Sequence, residues 1–226
     1  MMTLSLAEQL LLIATHDVKG SILMAGSTAV PYGLAGALLL ELSMKQRLLW
    51  HEKRIVVADR KPTGEPLLDE AMEMIATAPK EKDAKYWVSR FPRKIKKLDR
   101  RVYESLVERG ILTHVEKHFL WVIPYQRYPE RDPQPERLVR EKLYDVIRGQ
   151  IMPNERLLAL LSLVHACGLL NEVVPKGERR EAKKAVKAML AGEKVGKAVK
   201  DVVDEINAAV MAAVIASTAA STAAST

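Results

Sequence analysis

The most constraining feature of this chain is the segment of residues 33–46, which predicts a helix that is apolar on most of its sides. Within residues 34–42, Glu41 is the only charged residue, and leucine and alanine supply nearly all the others. A surface helix carries one apolar stripe, whereas a helix that is apolar nearly all round is buried. We therefore expect this helix at the centre of the fold, with the later helices packed around it.

Two short β-hairpins are predicted beside the helices. Apolar runs at residues 48–50 and 55–57 flank the polar sequence His-Glu-Lys-Arg, and residues 111–113 and 119–124 flank the segment from His114 to His118. Most remaining segments predict helices, at residues 4–15, 69–76, 84–91, 93–110, 136–149, 153–170, 178–191 and 194–216. The expected fold class is all-α or mainly α, as a single compact helical domain.

That domain is expected to span residues 1–216, and residues 217–226 repeat Ser-Thr-Ala-Ala as a low-complexity tail. The tail has no apolar face, which predicts a frayed or disordered end. No apolar run approaches the roughly 20 residues that a membrane-spanning helix needs, so we expect membrane contact to be peripheral. The single cysteine, Cys167, allows no intramolecular disulfide, as is typical of a reducing cytoplasmic compartment.

No catalytic residue, metal site or cofactor is predicted, and we interpret the chain as non-enzymatic. His114 and His118 are four residues apart, but they fall in the predicted turn of the second hairpin and lack a third ligand. His165 and Cys167 lie in the apolar run of residues 157–170. We expect the histidine to be a hydrogen-bonded core residue and the cysteine to be a small buried hydrophobic residue.

The net charge of +7 favours an anionic partner such as a membrane surface or a nucleic acid. Residues 90–101 hold seven basic residues and one acidic residue, Asp99, in and before the predicted helix of residues 93–110. Such a basic face could meet phosphates, and a solvated face is equally compatible with charge alone. Twice a helix precedes a hairpin, a pattern that also describes winged-helix modules, which place a helix in a DNA groove.

The segment of residues 62–71, PTGEPLLDEA, resembles a signature of the GPP34 (Golgi phosphoprotein 3) family. Similar landmarks follow the family order at residues 4–12, 33–42, 106–112 and 156–166, so the resemblance covers roughly residues 4–213. It implies a helical peripheral membrane protein that binds phosphatidylinositol 4-phosphate. It also implies binding to the cytosolic tails of membrane proteins.

The resemblance further implies a headgroup pocket made of one tryptophan and three arginines. Alignment on the landmarks places Gly26 at the tryptophan, Ala35 and Asp99 at two of the arginines, and keeps Arg101. We therefore hypothesise that binding to anionic lipid survives in diffuse form. The candidate residues for lipid-headgroup binding are Arg93, Lys94, Lys97, Arg100 and Arg101.

The expected function is thus that of a non-enzymatic peripheral membrane protein at the cytosolic face of a membrane, binding anionic lipid and, in the family, a phosphoinositide. Two alternatives stay open: a winged-helix-like nucleic-acid binder, and an adaptor for cytosolic protein tails without lipid preference. A homo-oligomer is compatible with each. The lipid, the organelle and the client proteins are not predicted.

Overall fold

Helices dominate the computed structural model, which describes residues 4–119, 123–192 and 197–223. The mainly α class expected from the sequence is confirmed. A short 3₁₀ turn at Lys176–Glu178 precedes α9. The helices are α1 (Leu6–Ile13), α2 (Val30–Met44), α3 (Pro66–Ala76), α4 (Ala84–Lys94), α5 (Leu98–Glu108), α6 (Gln134–Ile147), α7 (Glu155–Ala166), α8 (Leu170–Val173), α9 (Arg179–Ala191) and α10 (Lys197–Ala223).

The first predicted hairpin is confirmed and gains a third strand. Strands β1 (Leu48–His51), β2 (Arg54–Val57) and β3 (Lys82–Asp83) form an antiparallel sheet in that order. Strand β3 leads directly into α4, because the Asp83 side chain accepts a hydrogen bond from the Tyr86 backbone at 2.8 Å and caps the helix. The sheet therefore fixes where α4 begins.

The second hairpin forms with a different register from the one predicted. Strand β4 (Val115–Phe119) pairs with β5 (Ile123–Arg127), so the polar segment expected to be the turn is a strand. Residues 120–122 join the strands and lie outside the described residues. A polar segment is typical of a turn, but a two-stranded antiparallel ribbon can also expose polar side chains along a strand.

Helix α2 lies at the centre of the fold, as its composition predicts. It packs against α1, α4, α7 and α10, and Leu34, Leu39 and Leu42 are fully buried. Two glycines permit this close packing. A Cβ atom on Gly33 would lie 2.4 Å from the Cys167 sulfur, and one on Gly36 would lie 2.9 Å from a Val210 methyl.

The neighbours of α2 run antiparallel to it. In α1, the Leu6 backbone N–H donates to the Glu41 carboxylate at 2.8 Å, while Leu10 lies beside Gly33. In α10, Ile206 and Val210 face Gly36. Residues 201–205 instead line a cavity together with Leu40 and Met44, further toward the C-terminus of α2. The N-terminus of α2 and the C-terminus of α10 therefore lie at the same end of the bundle.

Two helix ends differ from those predicted. The helix expected over residues 153–170 begins at Glu155 and stops at Ala166, two residues before Gly168, which takes a left-handed conformation with φ of +71°. The last helix does not end at residue 216 but continues through Ala223, since alanine has the highest helix propensity and no Gly or Pro interrupts it. Residues 217–223, expected to be frayed or disordered, are thus helical.

Helix α10 also corrects the expectation about membrane-spanning length. Among the described residues, one segment, Lys200–Ala220, is long and apolar enough to cross a membrane by length and composition. A helix in a protein core meets the same criterion, and α10 packs against α2, α4 and α7. Within this helix Ile206 and Val210 are fully buried, whereas Ile215 is exposed.

Candidate functional site

The basic segment of residues 90–101 forms a corner between two helices, so the single helix predicted over residues 93–110 was wrong. Helix α4 ends at Lys94, Ile95 is extended, Lys97 is left-handed with φ of 54°, and α5 begins at Leu98. Pro92 contributes to the break because it provides no backbone N–H to the last turn of α4. Ile95 and Leu98, on either side of the break, are both buried in the core.

The structure divides the five candidate residues into two groups. Arg93, Lys94 and Lys97 are exposed at the corner. In contrast, Arg100 pairs with Glu104 at 2.8 Å. Arg101 pairs with Glu70 of α3 and is less exposed. The first three are therefore available to an external anion, whereas the last two already have carboxylate partners.

Two further basic residues join the exposed group. Arg90 and Lys96 are exposed at the same turn of the chain. Both belong to the seven basic residues of residues 90–101, but neither was among the predicted lipid-binding residues. Throughout residues 4–119, 123–192 and 197–223, none of the five has a carboxylate within ion-pair distance. We call this set the basic corner: Arg90, Arg93, Lys94, Lys96 and Lys97.

A shallow groove of about 410 Å³ runs along α4 beside the basic corner. Tyr86 forms part of it, with the Lys82 ammonium 5.1 Å and the Arg90 guanidinium 5.8 Å from the centre of its ring. Lys85, Arg93 and Lys94 also line the groove, and Asp83 is its one acidic residue. The groove thus provides a cationic surface that includes the aromatic side chain of Tyr86.

The basic corner lies at the end of the bundle that holds the N-terminus of α2. The Glu205 carboxylate lies close to the Ala84 backbone, which places the start of α4 beside the first third of α10. Helix α5, which follows α4, reaches the chain just after α1 through a 2.8 Å hydrogen bond between Tyr103 and Thr15, so α4 runs along α2 and α10 toward the N-terminus of α2. The loop before α2 lies at this end, and its Met24 side chain is 94% exposed.

The family's pocket positions do not assemble into a phosphate site. Gly26 is buried, and a Cβ atom there would lie 2.9 Å from Leu169, which leaves no room for a tryptophan in this arrangement. Ala35 is fully buried in the core, and Asp99 is exposed in the first turn of α5. Arg101, the one arginine kept, points to a different cavity.

That cavity has a volume of about 410 Å³ and is predominantly acidic. Its wall includes the signature loop of residues 62–68, where the Thr63 backbone and hydroxyl both donate to Asp69 at 2.7 Å. The signature segment is therefore explained by local structure: it forms a rigid side of this cavity. The charged residues of the wall are Glu8, Glu41, Glu65, Glu104, Glu108, Arg101 and Arg109.

Two buried carboxylates at this cavity are fully engaged within the protein. Glu8 accepts from the Ser5 backbone at 2.7 Å, which completes a capping box, and also from Ser105 at 2.5 Å and Arg109 at 2.8 Å. Arg156 donates to both oxygens of Glu41. These long-range partners were missed, because no local pattern identifies a contact between residues about a hundred positions apart.

The two residues weighed for chemistry are structural. Burial raises the pKa of the Cys167 thiol to about 12, and its sulfur faces the Ala29 carbonyl at 3.7 Å, as expected for a buried small residue. Burial, followed by the charges of Lys183 and Lys187, lowers the pKa of His165. The hydrogen bond expected for His165 is not found at Nδ1, which has no partner among the described residues.

The winged-helix alternative requires an exposed helix that can enter a DNA groove. The first helix of that pattern, α2, is buried on nearly all sides. The second, α5, is shorter than predicted, and its Arg100 and Arg101 are paired with carboxylates. Neither α2 nor α5 therefore presents the exposed, unpaired basic face that a recognition helix needs.

A central helix that is apolar on most of its sides, a PTGEP loop and the surrounding helices define a mainly α class of protein. A profile of the Golgi phosphoprotein 3 (GPP34) family matches residues 6–206, and the chain belongs to that family. It is similar to vacuolar protein sorting-associated protein 74 of Schizosaccharomyces pombe, with 27% identity over 169 residues. That alignment covers 66% of this chain and 50% of the relative, about half its length.

Proposed function

We propose that this member of the GPP34 family is a non-enzymatic peripheral membrane protein that binds anionic lipid headgroups at the cytosolic face of a membrane. The observation that carries the proposal is the basic corner, whose five exposed cations lack carboxylate partners within the described residues. Met24 at the same end adds an exposed apolar side chain. Charge and apolar surface together are what a peripheral membrane contact uses.

The expected affinity is modest. A basic residue near an anionic surface contributes about 1 kcal/mol, so five contribute about 5 kcal/mol, or roughly a 10³- to 10⁴-fold preference over a neutral membrane. Screening by salt reduces this preference, because the five side chains are exposed. The binding should follow the fraction of anionic lipid, with little selectivity for phosphatidylinositol 4-phosphate, since Gly26, Ala35 and Asp99 provide no cation.

The test is co-sedimentation with phosphatidylcholine vesicles, alone or containing phosphatidylserine or phosphatidylinositol 4-phosphate, at low and physiological salt. The variant Arg93→Glu/Lys94→Glu/Lys97→Glu should lose most binding to both anionic vesicles. A control with the same charge change, Lys53→Glu/Lys61→Glu/Lys80→Glu, alters exposed residues in or near the loops of the three-stranded sheet. It should retain most of the binding.

Equal losses in the two variants would mean that only net charge matters, and absence of pelleting by the wild type would refute the proposal. Binding restricted to phosphatidylinositol 4-phosphate would show a specific pocket that the geometry does not contain. A steep salt dependence with DNA but none with vesicles would instead favour the nucleic-acid alternative.

A second function, as an adaptor for basic cytosolic tails of membrane proteins, is supported by the acidic cavity. Glu108 is exposed at its rim, where a lysine or arginine of a tail could reach it. The variant Glu108→Gln should weaken binding of a fluorescent basic peptide, measured by anisotropy, with vesicle binding unchanged. Unaltered peptide affinity would argue against the cavity as the tail site.

A further inference from the structure

We propose that the C-terminal part of α10 is an apolar anchor. It enters the protein-facing leaflet of the same anionic membrane that the basic corner contacts. This inference rests on the proposed function and adds a second point of attachment to it. After Glu205, residues 206–223 contain no charged residue, which is uncommon for an exposed helix. The question is therefore which part of this uncharged stretch the fold covers.

Burial divides the stretch into a packed part and an exposed part. Ile206 and Val210 are fully buried against the rest of the bundle. Met211 is 40% exposed and Ile215 is 65% exposed. Because residues four positions apart share a face of a helix, these two side chains form one outward apolar stripe, which Ala219 continues.

The register of α10 against α4 places this stripe beside the basic corner. The two helices lie side by side where Glu205 is close to Ala84, and α4 then runs toward the end of the bundle at which α5 is hydrogen-bonded to Thr15. Both helices rise about 1.5 Å per residue, which puts Ile215 and Lys94, each ten residues further on, at about the same height. Packed helices are about 8–10 Å apart, which brings the apolar stripe and the cations onto the same end of the molecule.

Beyond this level α10 continues to Ala223, so it extends about 12 Å past the end of α4. That length is less than half of the roughly 30 Å of a bilayer core, so the exposed part can enter one leaflet but cannot span the membrane. The packed part is held in the protein by α2, α4 and α7. The anchor is therefore a shallow one.

A lipid surface fits this stripe better than a second copy of the chain does. An anionic bilayer complements the basic corner while it covers the apolar side chains, and stable anchoring takes two such signals together. A symmetric dimer formed through the same stripe would bring two basic corners close to each other. Their like charges would oppose the association.

The first experiment places an environment-sensitive fluorophore on the stripe. In a Cys167→Ala background, Ile215→Cys carries the dye, and Lys61→Cys, an exposed site near the sheet, is the matched control. Vesicles of phosphatidylcholine with phosphatidylserine should shift the emission of the dye at position 215 to the blue. The control dye should not respond, and lipids with a quencher high in the acyl chain should quench only the dye at position 215.

The second experiment removes the stripe with Met211→Gln/Ile215→Gln, which preserves helix propensity at two exposed positions. This variant should unfold at the temperature of the wild type yet bind phosphatidylserine-containing vesicles about tenfold more weakly. Its remaining binding should keep the salt dependence of the wild type, because the basic corner is intact.

The outcomes separate the anchor from the function on which it rests. Wild-type binding without a dye response, together with unchanged binding of the glutamine variant, would overturn the anchor and leave headgroup binding in place. A blue shift that rises with protein concentration in the absence of vesicles would overturn it in favour of a second copy. Failure of the wild type to pellet would overturn both proposals.

Discussion

Replacement of Glu41 by Gln should destabilise the fold substantially, because this carboxylate joins three elements. Arg156 of α7 donates to its two oxygens at 2.8 and 3.1 Å, and the Leu6 backbone of α1 donates at 2.8 Å. Arg156 also donates to the Leu4 carbonyl at 2.6 Å. The Gln variant keeps the shape of Glu41 but leaves the guanidinium without a counter-charge.

The magnitude follows from burial. Loss of one partner of a buried ion pair costs about 3–5 kcal/mol. The Glu41 side chain is 8% exposed but that of Arg156 is 28% exposed, so water can reach the orphaned guanidinium in part. We expect a loss of about 2–3 kcal/mol, a large share of the roughly 5–15 kcal/mol by which domains of this kind are stable.

The assay is urea unfolding followed by tryptophan fluorescence. Glu41→Gln should lower the midpoint with an unchanged slope. The double variant Glu41→Gln/Arg156→Leu should recover most of the loss, because it removes the guanidinium that lacks a counter-charge while the glutamine oxygen still accepts from the Leu6 N–H. As a control, Glu181→Gln breaks the exposed 3.4 Å pair with Lys184 and should cost less than about 0.5 kcal/mol.

Two results would refute this reasoning. A cost for Glu41→Gln no greater than that of the surface control would mean that the pair contributes little. A double variant as unstable as the single one would mean that the loss comes from altered packing of α2, and not from an uncompensated charge.

Two further predictions concern packing and pH. Gly33→Ala should lower the free energy of unfolding by about 1–3 kcal/mol, because its Cβ would lie 2.4 Å from the Cys167 sulfur. Adding Cys167→Ala should restore part of the melting temperature, and a normal melting temperature for the single variant would contradict the contact. Burial raises the pKa of Glu136 to about 7, so the folded state holds the proton more tightly than the unfolded state does. The free energy of unfolding should therefore fall by up to about 3 kcal/mol as the pH rises from about 4.5 through 7. Glu136→Gln should flatten this fall in urea midpoints measured between pH 5 and 8, and an unchanged slope would exclude Glu136 as its source.

The elements specified by local patterns were predictable from the sequence. The burial of α2 follows from its composition, and the start of α1 follows from the Ser5–Glu8 capping box. The first hairpin follows from two apolar runs around a polar turn. In each of these cases the decisive residues lie within a few positions of one another.

The errors occur where the apolar pattern does not show a break in a helix. Ile95 and Leu98 are three residues apart, as on one face of a continuous helix, and both are buried, yet the left-handed backbone at Lys97 divides residues 93–110. The same corner changes the candidate site, since it separates the exposed Arg93, Lys94 and Lys97 from the paired Arg100 and Arg101.

The position of the acidic cavity relative to the basic corner has an electrical consequence. Glu41 and Glu65 lie near the C-terminus of α2, where the sheet also packs, whereas the basic corner lies near its N-terminus. Glu41 pairs with Arg156 and Glu65 with Lys45, whereas the cations of the basic corner lack carboxylate partners within the described residues. This asymmetry gives the molecule a dipole moment roughly along α2, and the field of an anionic surface would exert a torque that turns the basic corner toward that surface before first contact.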